Sequence, residues 1–456
     1  MSGRCRSTVW MGMVHNIVAY ETAGSLLGLG MSVWQALATV VVANVILILA
    51  MWVNSVAGAK YGIPFPVLVR ASFGHQAAQI PVLIRAFVAI FWFAVQSWAG
   101  SKAVGAVLGL LIPGWAALGD VHVLGMGLND ALAYAVFWVL HAYVISHGME
   151  RVKFFELWAG PLVIVLGLGL VTWALVAAHG VGPLFAEPSK LTNGQFWHVF
   201  FLSVTGLIGV WATLVLNIPD FTRFARSQKD QVVGQAIGLP GTAIVFAVMS
   251  IIITSGTIVV FGRPIWDPVE LLKQFHNPVI LILGSFSLLV ATLSVNVAAN
   301  VVSPAYDLIN LFPKKLNFVK AGMLSIVIAL FFAPWLWFDN ANTIFAILGA
   351  IGGTLGPVAG IMIGDFYFVR RRNYDMAAFY SRNGPYSYSN GWNFRALVAM
   401  GIGTILSLIG LFVPALSGLY AYSWFLGVGA GLIVYVFLMR PRESVVALSQ
   451  ASSEVD

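Results

Sequence analysis

Cysteine and charge are what this chain has least of. One cysteine, Cys5, occurs in 456 residues, which excludes an intramolecular disulfide and any cysteine-based metal cluster. Only 9% of the residues are charged, 59% are hydrophobic, and the mean hydropathy is +0.89. So few charges cannot cover a water-soluble domain of this length. The chain is therefore expected to cross a bilayer repeatedly, with room for about twelve helices of roughly 20 residues. The net charge of +7 does not imply nucleic acid, because membrane proteins retain Lys and Arg in cytoplasmic loops. There is no HExxH and no cluster of metal ligands, which speaks against a membrane-embedded enzyme. A channel would carry charge rings or a repeated filter, and neither is visible. The first apolar segment lacks a small-residue cleavage pattern, so no cleavable signal is expected.

Twelve apolar segments are legible, at about 8–28, 33–56, 80–111, 131–147, 155–179, 196–216, 232–261, 278–302, 318–338, 343–369, 396–414 and 420–439. With the N-terminus in the cytoplasm, nineteen of the 24 Lys and Arg residues fall on that side. The reverse orientation inverts the bias, so both termini are expected in the cytoplasm of a multi-pass cell-membrane protein.

Polar residues at membrane depth mark the candidate site. In the third segment Trp92 and Gln96 lie four residues apart on one helix face. An indole beside an amide, away from water, suits a flat polar ring; core packing and interhelical bonding are the plainer alternative. The sixth segment has Gly206 and Gly209 just before Val210-Trp211, and the first has Gly12 before His15-Asn16. Both read as interrupted helices, whose unwound backbone needs a ligand, an ion or water. Glycines that merely admit a neighbouring helix are the alternative. In the eighth segment Asn296 and Asn300 share a face, and Ser294 offers a hydroxyl to a hard cation.

Glu21, Arg85, His15, His141 and Glu156 are the ionisable residues within the apolar runs, each a candidate by position. Arg85 and Glu156 are expected to snorkel or to pair with each other. Glu21 is read as facing an outer aqueous vestibule, with proton coupling as the competing role. Asp220 and Arg223 are expected to pair, and Arg370-Arg371-Arg372 to anchor the topology.

The stretches at Phe91–Gly100, Asn217–Phe224, Asn296–Asp307 and Gly353–Asp365 with the following arginines resemble the nucleobase–cation symporter-1 family. The Trp10–Asn16 and Ser294–Asn300 motifs look most like its allantoin permease branch. The resemblance implies an all-α, LeuT-type 5+5 inverted repeat with discontinuous helices 1 and 6. It divides the chain into repeat 1 (about 7–180), repeat 2 (about 194–370), two appended helices (about 395–440) and a cytoplasmic tail at 441–456. It also implies that a small planar heterocycle lies between Trp92 and Trp211. Gln96, Asn300 and Asn16 would bind its edge, and backbone at Gly209 and Val210 would contribute. The family's sodium positions correspond to Gly12, His15, Ala291, Ser294 and Val295. Val295 lacks the expected hydroxyl, so protons carried by His15 or Glu21 compete with sodium as the coupling ion. The expected activity is cation-coupled import of allantoin or a related ureide, with uracil, cytosine, purine or hydantoin as alternatives. A monomer with no organic cofactor is expected.

Overall fold

The computed structural model describes residues 14–147, 149–338 and 340–453, with side chains for 14–147, 161–338 and 340–439. Gly12 and Trp10 lie outside the described residues, as does the side chain of Glu156. Twelve principal helices follow in order: α1 (Ile17–Gly28), α2 (Val33–Tyr61), α3 (Gln79–Leu111), α4 (Leu128–Ser146), α5 (Met149–Ala177) and α6 (Asn193–Thr222). Then come α7 (Gln228–Phe261), α8 (Pro278–Asn300), α9 (Phe318–Ala329), α10 (Ala341–Ile363), α11 (Phe394–Phe412) and α12 (Ser423–Ser453). Among the described residues, ten helical spans are long and apolar enough to cross a membrane. The described part of α1 is shorter, and α5 contributes the apolar run Pro161–Ala177. One two-stranded hairpin, His122–Val123 with Met126–Gly127, interrupts the α3–α4 connection.

Local chemistry sets where these helices begin and end. Ser32 with Gln35 and Thr192 with Gln195 form capping boxes at the starts of α2 and α6, satisfying amides that have no intrahelical partner. Asn277 followed by Pro278 does the same for α8. Gly62 ends α2 in the left-handed region at φ 70°, a conformation that disfavours any side chain.

Packing exposes an internal two-fold relation. α2 packs along α6, and the equivalent pair one repeat later, α7 and α1, also pack together. α3 meets its own counterpart α8, and α4 meets α9. The linkers agree: that between α2 and α3 carries the short helix Phe65–Leu68, and that between α7 and α8 carries Pro268–Gln274. Four spans lie between α1 and α6, so these two helices, and with them the two halves, run oppositely through the membrane. α11 and α12 pack on α10, outside this ten-helix unit. Large apolar side chains such as Val176, Phe331 and Phe412 point outward, as a lipid-facing surface requires.

Two helices differ from expectation. α6 is one continuous helix through residues 206–211, not an interrupted one. Its glycines serve close packing instead. A Cβ on Gly206 would meet the Phe345 ring at 2.5 Å, and one on Gly209 would meet the Leu348 carbonyl oxygen at 2.2 Å. Small residues let α10 approach α6 at those positions. The break instead falls in the eighth span, where the helix stops at Asn300 and a second one, Val302–Leu311, follows. The described helix of the first span begins at Ile17, with Asn16 as its cap; the expected interruption at Gly12 falls outside the described residues.

Candidate functional site

α1, α3, α6 and α8 enclose a cavity of about 440 Å³. Trp92, Gln96, Trp211, Val210, Asn16, Asn300 and Val295 all line it, so residues read separately from four segments meet at one place. Gly209 does not line it, because its α-carbon faces Leu348 of α10. Asn16 Oδ1 accepts the Ala19 amide at 2.9 Å, capping a helix whose positive end lies at the cavity wall. Trp92 Nε1 and Gln96 Oε1 are buried with no hydrogen-bond partner among the described residues. Polar atoms without partners in an apolar wall are costly; both lie behind the surface of the cavity rather than on it.

Towards its mouth the cavity becomes charged. The Arg85 guanidinium donates to the Asp307 carboxylate and to Ser303 Oγ. The Asn217 amide, with its nitrogen donating to Thr213 O at 2.8 Å, offers its oxygen to Arg85 Nη1 at 2.9 Å. Arg85 therefore neither snorkels nor needs Glu156: it is 2% exposed, and its carboxylate partner is Asp307. Asp220 accepts the Phe65 amide at 2.7 Å, while the Arg223 guanidinium lies 4.5 Å from the Phe224 ring centre. The expected Asp220–Arg223 pair is thus replaced by a tie from α6 to the α2–α3 linker. Sequence reasoning missed Asp307, Ser303 and Asn217 as cavity residues. Their only signal was polarity on the faces that carry Asn300 and Trp211.

The opposite end is shut. Lys102 of α3 pairs with Asp267 at 3.3 Å, and Ser250 of α7 donates to Tyr20 O at 2.6 Å. Gly24 lies so close to α7 that a Cβ would meet Thr254 Oγ1 at 2.6 Å. Glu21, on this buried face of α1, is 1% exposed and does not face a vestibule. Of the residues that line the cavity, Arg223 and Asn310 are exposed and Pro64 is half-buried, which puts its mouth beside them.

The candidate cation residues are partly gathered. Ala291, Ser294 and Val295 are buried on α8, and His15 is buried just before α1, its ring edge-on to Phe246. Ser294 Oγ is buried without a partner among the described residues and does not bond its own helix carbonyl, so an oxygen is available there. Val295 supplies only a methyl-bearing wall of the cavity. Thr292 Oγ1 accepts the Ile17 amide at 3.4 Å, bridging α8 to the start of α1. Arg370 does more than mark topology: its Nε lies 3.6 Å from the buried Asp365 carboxylate. Tyr374 and Tyr435 donate to that carboxylate at 2.9 Å and 2.7 Å.

A family profile described as permease for cytosine/purines, uracil, thiamine and allantoin matches residues 5–427. The chain is 48% identical over 436 residues to an allantoin permease of Bacillus subtilis, covering 95% of this chain and 89% of that one. It is 36% identical to a purine-uracil permease of Arabidopsis thaliana, covering 98% and 76%. Its fold matches inward-facing Mhp1 with a TM-score of 0.76 at 24% identity, over 97% of this chain and 91% of that one. Mhp1 closed around bromovinylhydantoin, a nucleobase-cation-symport-1 family transporter, gives 0.74 at 25% identity, covering 95% and 91%.

Proposed function

Because the chain belongs to the family of permeases for cytosine/purines, uracil, thiamine and allantoin, we propose that it imports allantoin or a closely related planar ureide by alternating access. It is a multi-pass secondary transporter of LeuT-type fold and not an enzyme. The observation that carries the substrate reading is the convergence of Trp92, Trp211, Gln96, Asn16 and Asn300 on one cavity. Indole faces give a flat ring contact area at small entropic cost, and each amide rejects rings that lack its partner. The 48% identity to an allantoin permease favours a ureide over a nucleobase.

The Lys and Arg distribution supports both termini, and the 441–456 tail, lying in the cytoplasm. The open mouth beside Arg223 is then cytoplasmic, and the arrangement is that of a transporter releasing its cargo inward. Repeat 1 at about 7–180 and repeat 2 at about 194–370 rock about the cavity, with the helices of about 395–440 appended. A cation gradient drives uptake. Sodium would be held by Ser294 Oγ with backbone oxygens near Gly12, His15 and Ala291. Protons would use His15 or Glu21. The protein acts as a monomer.

Uptake of several radiolabelled ring substrates into cells, allantoin and uracil among them, with sodium and pH varied independently and a panel of ring competitors, tests this. Allantoin should compete best, and Trp92→Ala and Trp211→Ala should each abolish uptake at unchanged expression. Uptake indifferent to excess allantoin but blocked by uracil overturns the substrate assignment, and full activity in both alanine variants removes the aromatic cradle.

A further inference from the structure

Behind the cavity wall lies a chain of buried polar groups that does not touch the cargo space. His141 of α4 is fully buried, and its Nδ1 lies 2.8 Å from the Phe137 carbonyl oxygen. A carbonyl only accepts, so Nδ1 carries the hydrogen and Nε2 is left as an acceptor. The Asn296 amide nitrogen lies 3.0 Å from that Nε2, 3.2 Å from Phe93 O and 3.1 Å from Ser97 Oγ. Two acceptor-only neighbours leave the Asn296 amide one orientation, with NH₂ toward α3 and α4 and its oxygen toward Asn300. The Asn300 nitrogen donates to that oxygen at 2.9 Å.

We infer that Asn296, backed by His141, is a positioning residue that fixes the polarity of Asn300. It engages the Asn300 NH₂, so the carbonyl of Asn300 is what the cavity is offered. The α8 side of the wall therefore offers an acceptor and selects rings that turn an N–H group toward it over rings of equal shape carrying a bare nitrogen or oxygen there. This rests on the transport reading above and deepens it: the cargo class becomes cyclic ureides and imides with an N–H edge. Neither Asn296 nor His141 lines the cavity, so the effect passes entirely through Asn300.

The probes are two pairs of similar rings with opposite polarity at one atom. In hydantoin against 2,4-oxazolidinedione, and in dihydrouracil against 1,3-oxazinane-2,4-dione, oxygen replaces one ring N–H. Competition with radiolabelled allantoin binding to purified protein is measured at a pH that keeps each ring neutral. Wild type should favour the N–H member of at least one pair by about tenfold or more, since an unmatched buried acceptor discriminates strongly. In Asn296→Leu, the freed Asn300 amide can turn, so the preference should shrink to about threefold or less through tighter binding of the acceptor ring. His141→Gln, which can return a carbonyl to the Asn296 NH₂, should retain the wild-type preference. A purely structural role would weaken both rings alike and leave their ratio unchanged; that result overturns the inference and spares the transport reading. If wild type binds none of these rings nor allantoin, the transport reading fails and takes this inference with it. Should Asn296→Leu not fold, Asn296→Ser is the second variant, judged by the same ratio.

Discussion

Removing Asp307 tests the charged mouth most directly. Its carboxylate meets Arg85 where the two side chains are 4% and 2% exposed. Asp307→Ala leaves the guanidinium hydrogen-bonded to neutral Ser303 and Asn217, with Asp220 as the remaining carboxylate that acts on it, while the Arg85 side chain stays 2% exposed. Breaking a buried pair from one side costs about 3–5 kcal/mol, because the surviving charge stays desolvated. Replacing both members by apolar groups of similar volume is often neutral or stabilising. Arg85→Met with Asp307→Leu should therefore recover most of the loss. For a chain of 456 residues, unfolding entropy scaled by length gives about 1 kcal/mol per degree. Asp307→Ala should thus melt roughly 3–5 °C below wild type in detergent, with the double variant within about 2 °C of it. Ligand-free thermal unfolding of wild type, Arg85→Met, Asp307→Leu and their double variant completes the cycle. Additive losses, or a single variant as stable as wild type, would refute the buried-pair argument.

Three further outcomes follow from the geometry. Gly209→Ala sets a methyl 2.2 Å from a backbone oxygen of α10; it should cost about 1–3 kcal/mol and lower uptake by shifting Trp211, read as melting temperature beside uptake rate. Val295→Thr restores an oxygen next to the unpartnered Ser294 hydroxyl and should sharpen the sodium dependence of uptake, seen as a lower half-saturating sodium concentration. Lys102→Met removes the 3.3 Å contact with Asp267; a cysteine introduced at Ala99 should then react faster with a membrane-impermeant maleimide applied from outside.

Much of the site was legible because its signals are local. Trp92 with Gln96, and Asn296 with Asn300, are visible as helix-spaced polar residues inside apolar runs. Asn16 is visible as a capping residue at membrane depth. What was not legible depends on partners far away in the chain. Gly206 and Gly209 read as a break or as packing until Phe345 and Leu348 stand opposite them. Arg85 finds a carboxylate 222 residues later, and no pattern around either residue announces the other. Glu21 looked like a vestibule residue because hydropathy reports depth, not which face of α1 is covered by α7.

The two linkers that the repeat makes equivalent are held very differently. Between α2 and α3, Lys60 and Tyr61 donate to Arg372 O, Gln76 and Ala77 amides donate to Gly391 O, and Asn393 donates to Phe73 O. Its counterpart between α7 and α8 has the Lys102–Asp267 pair and an exposed Arg263–Glu270 pair. One is tied to the segment that joins α10 to α11; the other is latched to α3 through Asp267. With fewer ties to the rest of the chain, the second linker costs less to displace than the first.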